Sequence, residues 1–332
     1  MGDGTKENPY TREDVLRLIE ENVGTAEGLD LSGRVFEAGI GLGKLDLRGI
    51  ILKKATFLVS FGSEEPLAAR FDGSRLSHAH LEEVDLQHAH LEGAELIGAH
   101  LEEANLASSH LKGVDLIGAH LEGADLSITN LKGTDFGNAH LKGIFFWGAK
   151  FSSDTRLESV DWGDHIVGEE KEEKRWEERE DYLAMWAVDN VYRRLKLWYA
   201  EHGIYNVAGE FFFREMTISR KVLKSWPNPF PRVWSKLLSI LCGYGERPLR
   251  VVTSAVVVVL GLALIYFAIG TLMPNTFLNS LYYSAVSFTA LGYGSWAPQP
   301  MGWVKGLGAF EAFIGVFMMA LFLITFTRKM TR

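Results

Sequence analysis

The chain has 332 residues, a formal net charge of −8 and a single cysteine, Cys242. The negative charge argues against nucleic-acid binding through a basic face, and one cysteine excludes an intrachain disulfide. Residues 230–332 carry eight Lys and Arg against two Glu, a net charge of +6, which leaves −14 for the rest. An acidic body therefore precedes a basic, apolar C-terminal part, and at roughly 150 residues per domain the length predicts about two domains.

Residues 1–28 predict a short N-terminal helical cap. Thr11, followed three residues later by Asp14, is a typical helix start, because each side chain can bind the other residue's backbone N–H group. The apolar residues that follow share one helical face: Val15, Leu16, Leu18 and Ile19. We expect this helix to cover one end of the domain that follows.

A five-residue period dominates residues 29–160. From residue 71 to residue 151, Leu or Phe stands at every fifth position, seventeen times without a break. A small or β-branched residue, mostly alanine, stands two positions before each of them. Neither an α-helix, with a period of 3.6, nor a strand, with a period of 2, has this spacing. It fits a coil with five residues per side, in which Leu or Phe fills the axis.

This pattern resembles that of the pentapeptide-repeat family. The resemblance implies a right-handed, four-sided β-helix with 20 residues per turn, so that the seventeen repeats make about four turns. An earlier set of residues begins the pattern before an interruption around residues 62–66: Leu42, Leu47, Leu52 and Phe57. Each turn stacks on the next, so the two ends of the coil need caps.

Histidines recur with a period of ten on the outward positions of the repeats: His80, His90, His100, His110, His120 and His140. With 20 residues per turn, four of them should form one column with the strand spacing of about 4.8 Å: His80, His100, His120 and His140. One hypothesis is that this column senses pH or a transition metal. The alternative is a solvated surface copied by repeat duplication, and the sequence assigns no metal site firmly.

Residues 168–230 predict a helical hairpin that links the two domains. Apolar and aromatic residues recur at helical spacing on both sides of Gly203, which is expected to end the first helix, and a short connection implies an antiparallel pair. Residues 231–249 then predict an interfacial helix, because an apolar face is flanked by Arg232 and Lys236.

Two apolar stretches follow, over residues 251–273 and 306–327, and each is long enough to cross a bilayer as a helix. Lys and Arg lie before the first and after the second stretch. Because positive charge stays on the cytoplasmic side, we expect both termini to be cytoplasmic and residues 274–303 to face outward. Residues 250–332 are thus predicted to be a two-span domain of a multi-pass cell-membrane protein.

The segment between the spans predicts a re-entrant helix over residues 276–289 and an extended, glycine-containing stretch over residues 289–294. Non-helical backbone survives at membrane depth only where protein or a water-filled cavity satisfies it, and a selectivity filter is such a place. The sequence resembles the pore of two-transmembrane potassium channels. The resemblance implies a homotetramer in which permeant K⁺ or another monovalent cation, and no other cofactor, binds filter residues: Thr289, Ala290, Leu291, Gly292, Tyr293 and Gly294.

Three positions depart from the potassium-channel pattern. Ala290 stands where the family usually has Thr, whose hydroxyl completes the innermost ion site. Leu291 replaces the usual Val and keeps the carbonyl, and Ser295 stands where Asp is common. A weakly selective cation channel therefore remains an alternative to a potassium channel.

Glu311 and Gly315 interrupt the apolar pattern of the second span and are candidates for a role in conduction or gating. A carboxyl group within a span is costly, so Glu311 either braces the re-entrant helix or takes part in conduction. Gly315 is either a hinge or a site of close helix packing.

The sequence shows no HExxH, GxSxG, EF-hand or Cys/His zinc motif, and we do not expect an enzyme. The prediction is a channel whose cytoplasmic repeat domain regulates gating or binds an unidentified cytoplasmic protein or ligand. The alternative is an interaction scaffold that the two spans only tether to the bilayer. A re-entrant segment favours the channel, because an anchor does not need one.

Overall fold

A computed structural model describes residues 2–61, 66–163, 182–222, 230–270, 272, 274–291 and 302–330. The chain divides into two compact units, Met1–Val191 and Tyr192–Arg332. The first contains the repeats, and the second contains the two apolar helices.

The first unit is a coil of stacked turns joined by parallel bridges. Through its middle, each bridge joins residues twenty positions apart, as between His80 and His100 or between Asp85 and Asn105. A bridge occurs at every fifth residue, so one turn has 20 residues and four bridged positions. From Phe71 to Phe146 the Leu and Phe residues of the five-residue period are buried, as are the alanines two positions before them. The predicted axis of the coil is therefore its core.

The coil departs from strict regularity near both ends. Early bridges join residues 29 apart, as between Gly41 and Arg70, because a short antiparallel hairpin leaves the coil there. Its strands are β3 (Ser60–Phe61) and β4 (Pro66–Leu67), and a parallel pair precedes it, formed by β1 (Val35–Phe36) and β2 (Thr56–Phe57). Near the other end the step is 21 residues, as between His140 and Asp161.

The N-terminal segment is partly built into the coil. The helix α1 (Arg12–Glu21) begins with the expected capping box of Thr11 and Asp14, and Val15 on its inner face is buried. Tyr10, just before it, forms a bridge with Phe36. The predicted boundary between a cap over residues 1–28 and a coil starting at residue 29 is thus too sharp.

The second unit starts within a helical pair. The helix α2 (Tyr182–Glu201) is followed by α3 (Tyr205–Val222), and Gly203 between them has a φ of +75°. Phe211 stacks on Tyr199 with ring centroids 5.6 Å apart. The buried carboxylate of Glu215 accepts hydrogen bonds from Arg193 and Lys196 on α2, at 3.2 and 2.5 Å. Residues 168–181 and 223–229 of the predicted linker lie outside the described residues.

The predicted interfacial helix over residues 231–249 is shorter in the structure. The helix α4 (Phe230–Cys242) ends at a turn, Gly243–Gly245, whose three residues all have positive φ. A right-handed helix cannot continue through that conformation. The next helix, α5 (Pro248–Ile269), begins with proline, which lacks an N–H group and is well placed in a first turn.

Two further helices complete the second unit. The helix α6 (Phe277–Thr289) packs against both α5 and α7 (Val304–Met330). One apolar cluster contains Tyr266, Leu272, Tyr283 and Val304, and a second contains Cys242, Val251, Phe288 and Met318. Together these clusters pack α5, α6 and α7 on one another.

Candidate functional site

The helices α5 and α7 have the length and surface of membrane spans. Their apolar segments, Pro248–Ile269 and Val304–Thr327, have 22 and 24 residues, or about 33 and 36 Å at 1.5 Å per residue, against about 30 Å of hydrocarbon. Only 11% and 22% of their most apolar windows are buried. A core helix of a soluble protein would be mostly buried, so these exposed apolar faces indicate contact with lipid or with other membrane helices.

The helix α6 is too short to cross a bilayer, because its 13 residues extend about 20 Å. It begins at Thr276, whose hydroxyl accepts a hydrogen bond from the N–H group of Asn279 at 3.2 Å. The side chain of Asn279 donates to the Pro274 carbonyl at 2.8 Å and fixes the entry to the helix. One face of α6 is buried against the two spans, including Tyr283, Ser284 and Phe288. A helix therefore lies where the sequence predicts the re-entrant one and starts at residue 277, and its re-entry into a bilayer stays a prediction.

Glu311, on α7, is hydrogen-bonded to both α5 and α6. Its side chain is completely buried. One carboxyl oxygen accepts a hydrogen bond from the Tyr266 hydroxyl on α5 at 2.9 Å, and the other accepts one from the Ser284 hydroxyl on α6. Tyr266 also packs edge-on against Tyr283, with ring centroids 5.0 Å apart. A buried carboxyl group is costly unless it is hydrogen-bonded, and here both oxygens have partners within the chain.

Gly315, one turn further along α7, lies directly against the backbone of α6. A Cβ atom at this position would overlap the carbonyl oxygen of Phe288 and lie 2.7 Å from its carbonyl carbon. Only glycine allows this approach. Of the two roles weighed for Gly315, the geometry favours close packing, and it holds α7 against the last turn of α6.

The structure describes the first three residues of the predicted filter. Thr289 ends α6, and its hydroxyl donates to the Ala285 carbonyl at 2.8 Å. Ala290 has left-handed backbone, with φ 53° and ψ 25°, which ends the helix. Leu291 is 80% exposed. Gly292, Tyr293 and Gly294 lie outside the described residues, as does Ser295.

A polar junction connects α3 to the start of α5. Arg247, next to the first residue of α5, donates a hydrogen bond to the Glu210 carboxylate at 2.9 Å. The guanidinium groups of Arg247 and Arg250 lie 4.5 and 5.3 Å from the ring centroid of Phe213. The Tyr244 ring also packs on Phe213, at 5.8 Å. Two of these contacts are cation–π contacts, which add to the salt bridge.

In the first unit, the predicted histidine column is present. The imidazoles of His80, His100, His120 and His140 stack nearly parallel, with centroids 4.7–4.9 Å apart. His90 and His110 form a second, shorter column at 4.6 Å. The column geometry follows from the backbone bridges, and any response to pH or metal remains a prediction.

Sequence reasoning missed several partners of these residues. Tyr266 and Ser284 are polar residues in apolar helices, but nothing in their spacing relates them to Glu311. A glutamate follows four of the histidines by two positions, in the motif His-Leu-Glu, and this repeated motif could have been recognised in the sequence. The four residues are Glu82, Glu92, Glu102 and Glu122. For Glu82, burial opposes the charge, but hydrogen bonds from Lys53 and His80 outweigh it and lower the pKa of the carboxyl group.

Residues 243–332 match the family model described as ion channel, and residues 68–102 and 94–133 match that of pentapeptide repeats. The chain carries an ion-channel domain and a pentapeptide-repeat domain. Both families are non-enzymatic, and the channel domain with its two apolar helices places the protein in a membrane. No curated protein matches the chain.

Several solved structures resemble the repeat domain. QnrB1, a plasmid-mediated fluoroquinolone resistance protein, is 19% identical over 41% of this chain and 65% of its own, with a TM-score of 0.29. The pentapeptide repeat protein Rfr23 of the cyanobacterium Cyanothece 51142 is 26% identical over 42% and 90% of the two chains, with a TM-score of 0.21. HetL of Nostoc sp. strain PCC 7120 is 21% identical over 47% and 98%, with a TM-score of 0.16.

Proposed function

We propose that four copies of this chain form a potassium-channel-like cation channel in the cell membrane. The observation that carries the proposal is the position of α6: it lies between two apolar helices and is bound to both through Glu311, and it ends at the residues of the predicted filter. Such a helix has no use in a simple anchor, whereas a pore needs one to support its filter.

The proposed ion path uses backbone groups. The C-terminal end of α6 carries the negative end of the helix dipole, which favours a cation beyond it. The carbonyl oxygens of residues 289–294 would replace part of the water shell of K⁺ or another monovalent cation. One chain supplies a quarter of such a ring, so the proposal requires a homotetramer. The 80% exposure of Leu291 in a single chain agrees with an assembly in which other copies cover this end.

Weak selectivity is the second form of the same proposal, and a specific residue favours it. The side chain of Ala290 ends at Cβ, so it offers no oxygen to the innermost ion site. Reversal potentials in mixed K⁺ and Na⁺ would separate the two forms: a potassium channel follows the K⁺ gradient, and a weakly selective channel reverses near zero.

The repeat domain is proposed to be a right-handed quadrilateral β-helix on the cytoplasmic side, with both chain termini, and to regulate gating or bind a partner. Support for regulation comes from the junction that joins Glu210 and Phe213 to Arg247, because a movement of α3 would pull on the first turn of α5. Arg247 to Ala should therefore change open probability and leave the reversal potential unchanged.

The decisive experiment is cation flux from the purified full-length chain in liposomes, with its mass in detergent measured by light scattering. We expect a tetramer that conducts, and we expect Gly294→Ala to remove flux and leave the tetramer intact. Gly306→Ala is a matched control, because a Cβ atom there has no neighbour within 4 Å. A folded protein that conducts nothing would overturn the channel and leave a membrane-tethered interaction scaffold.

A further inference from the structure

The six outward histidines of the coil pair across successive turns. Backbone bridges join His80 to His100, His120 to His140 and His90 to His110, and a further bridge joins His100 to His120. The third pair lies ten residues, or two sides of the coil, away from the other two. Because the bridges fix the backbone spacing, each pair presents two imidazoles from neighbouring turns at 4.6–4.8 Å between ring centroids.

A glutamate accompanies each pair. The Oε1 atom of Glu92 lies 3.6 Å from Nδ1 of His90 and 3.4 Å from Nδ1 of His110, so it stands between the two rings. Glu122 lies 3.8 Å from Nδ1 of His120, while Nδ1 of His140 lies 3.6 Å from the Asp161 carboxylate. Within the described residues, three groups place two imidazole nitrogens and one carboxylate oxygen within 4.8 Å of one another: His80–Glu82–His100, His90–Glu92–His110 and His120–Glu122–His140.

In each of these groups, one oxygen of the glutamate carboxylate has no hydrogen-bond partner in the described structure. The second oxygen of each, Oε2, is buried, and it has no hydrogen-bond partner among the described residues: Glu82, Glu92 and Glu122. A buried, unpaired carboxylate oxygen is costly. Lys112 and Lys142 follow His110 and His140 at the glutamate position of the next turn, yet no ion pair joins them to Glu92 or Glu122 in the described structure. In the described structure, no lysine or arginine therefore pairs with Glu92 or Glu122, whereas the Glu82 carboxylate pairs with Lys53.

We propose that the three His–Glu–His triplets bind divalent first-row transition-metal ions of the Zn²⁺ class, each ion bridging two successive turns of the coil. Two imidazoles and a carboxylate suit zinc, copper or nickel. Calcium and magnesium are hard cations that prefer oxygen ligands, whereas two of the three ligands in each triplet are imidazole nitrogens. The remaining coordination positions belong to water or to the second carboxylate oxygen, since these residues lie at the surface.

Binding requires a small movement. Zinc–nitrogen bonds of 2.0–2.1 Å with tetrahedral angles put two ligand nitrogens about 3.3 Å apart, so each pair of rings must lean together by about 1 Å. The side chains of His110 and His140 are 48% and 42% exposed, which leaves room for this rotation. At the first triplet the Lys53 ammonium already lies 2.9 Å from Glu82. That triplet is therefore the weakest of the three.

The test is a zinc titration of the full-length protein in detergent, after removal of metal with a chelator, by competition with a chromophoric zinc indicator. We expect three ions per chain, the weakest at Glu82. His110→Asn and His140→Asn should each remove one equivalent, and the double variant two. His88→Asn is the matched control, because His88 lies in the same coil outside every triplet, and it should leave the stoichiometry unchanged.

A second readout does not depend on counting ions. Zinc should raise the midpoint of thermal unfolding of the wild-type protein, because a ligand that binds only the folded state stabilises it. Glu92→Gln and Glu122→Gln keep all six imidazoles and should reduce this shift, and they replace the histidine variants if those do not fold. Equal zinc binding in His88→Asn, in the triplet variants and in the wild type would overturn the proposal, as would no binding at all.

Discussion

The coil of the first unit and the membrane unit, meaning helices α5, α6 and α7 (Pro248–Met330), are each stabilised internally in a different way. In the coil, one contact is made many times: a buried Leu or Phe lies on the axis of every side, and polar groups face outward. In the membrane unit, apolar side chains cover the outside and polar groups are buried. The contacts that fix α6 occur once each, at Glu311 and at Gly315.

This difference sets how each unit should respond to substitution. A repeat protein is stabilised by the sum of contacts between neighbouring turns, so the loss of one is local. Within a bilayer, lipid tails are as apolar as leucine side chains, and specificity depends on close packing and on a few hydrogen bonds. We therefore expect graded effects on stability in the coil and near-complete effects on function in the membrane unit.

The largest effect is expected for Gly315→Ala. The new methyl group would overlap the Phe288 carbonyl oxygen, a backbone atom that cannot turn aside. Overpacking costs roughly 1–3 kcal/mol even where side chains can adjust, so at about 1.4 kcal/mol per tenfold we expect liposome flux to fall by roughly 5- to 100-fold. Gly306→Ala, on the same helix with open space around its Cβ position, should conduct normally. Normal flux through Gly315→Ala would mean that α7 does not approach α6 this closely.

The next effect tests the coil with two residues that are close in sequence. Leu126 is completely buried and Ile128 is 49% exposed. Leu126→Ala should lower the free energy of unfolding of the coil by roughly 2–5 kcal/mol through the cavity that it leaves. Ile128→Ala should not lower it, because Ile128 has a φ of +62°, a conformation that strains a β-branched residue more than alanine. Urea denaturation followed by circular dichroism measures both.

We expect Leu126→Ala to conduct ions in liposomes at low temperature, because a local loss of stability in the coil should not disturb the membrane unit. A full loss of flux in this variant, with the membrane helices intact, would show that the two units do not respond independently.

A smaller effect is expected from the hydroxyl groups around Glu311. Ser284→Ala removes the hydrogen bonds of this hydroxyl to the Glu311 carboxyl group and to the Val259 carbonyl. A buried hydrogen bond contributes roughly 0.5–1.5 kcal/mol, or roughly 1.5–3 kcal/mol where one partner is charged. Ser280→Ala, one turn earlier on the same face, removes a buried hydroxyl that has no partner in the described structure, and it should be neutral or slightly stabilising. Resistance of the proposed tetramer to dissociation by detergent measures both.

A double-mutant cycle with Tyr266→Phe extends this test, because Tyr266 and Ser284 bind different oxygens of one carboxyl group. A non-zero coupling energy is expected for groups in one network. Strict additivity of the two substitutions would contradict a shared role for Glu311 in holding α6.

How much the sequence could predict also differs between the units. The five-residue period fixes which residues are buried in the coil, and with 20 residues per turn it predicts the stacking of His80 on His100. It does not predict the hairpin of β3 and β4 or the 21-residue step near His140. An insertion between two turns leaves the five-residue period unchanged before and after it. The period therefore does not predict how many residues the insertion has or what structure it forms.

In the membrane unit, the sequence shows which residues interrupt the apolar pattern, but it does not show which residues they contact. Glu311 and Gly315 stand out because they interrupt an apolar run. Ser284 and Tyr266 are 27 and 45 residues away from Glu311, and only the packing of three helices brings them together. The sequence predicts one helix over residues 231–249 and misses the turn at residues 243–245, because the amphipathic pattern does not show where the helix ends.

The smallest effect concerns the N-terminal end of the coil. The carboxylate of Asp14 accepts hydrogen bonds from the Thr11 backbone N–H group, the Thr11 hydroxyl and the Gly2 N–H group, and these lower the pKa of Asp14 from 3.8 to about 2. A lowered pKa stabilises the folded form above pH 3.8, and this contribution is lost as the pH falls towards 2.

Asp14→Asn should cost about 1 kcal/mol at neutral pH, as for the loss of a helix cap. The difference from wild type in urea unfolding should shrink from pH 5 to pH 2, and a difference independent of pH would show that the charge of Asp14 does not stabilise α1.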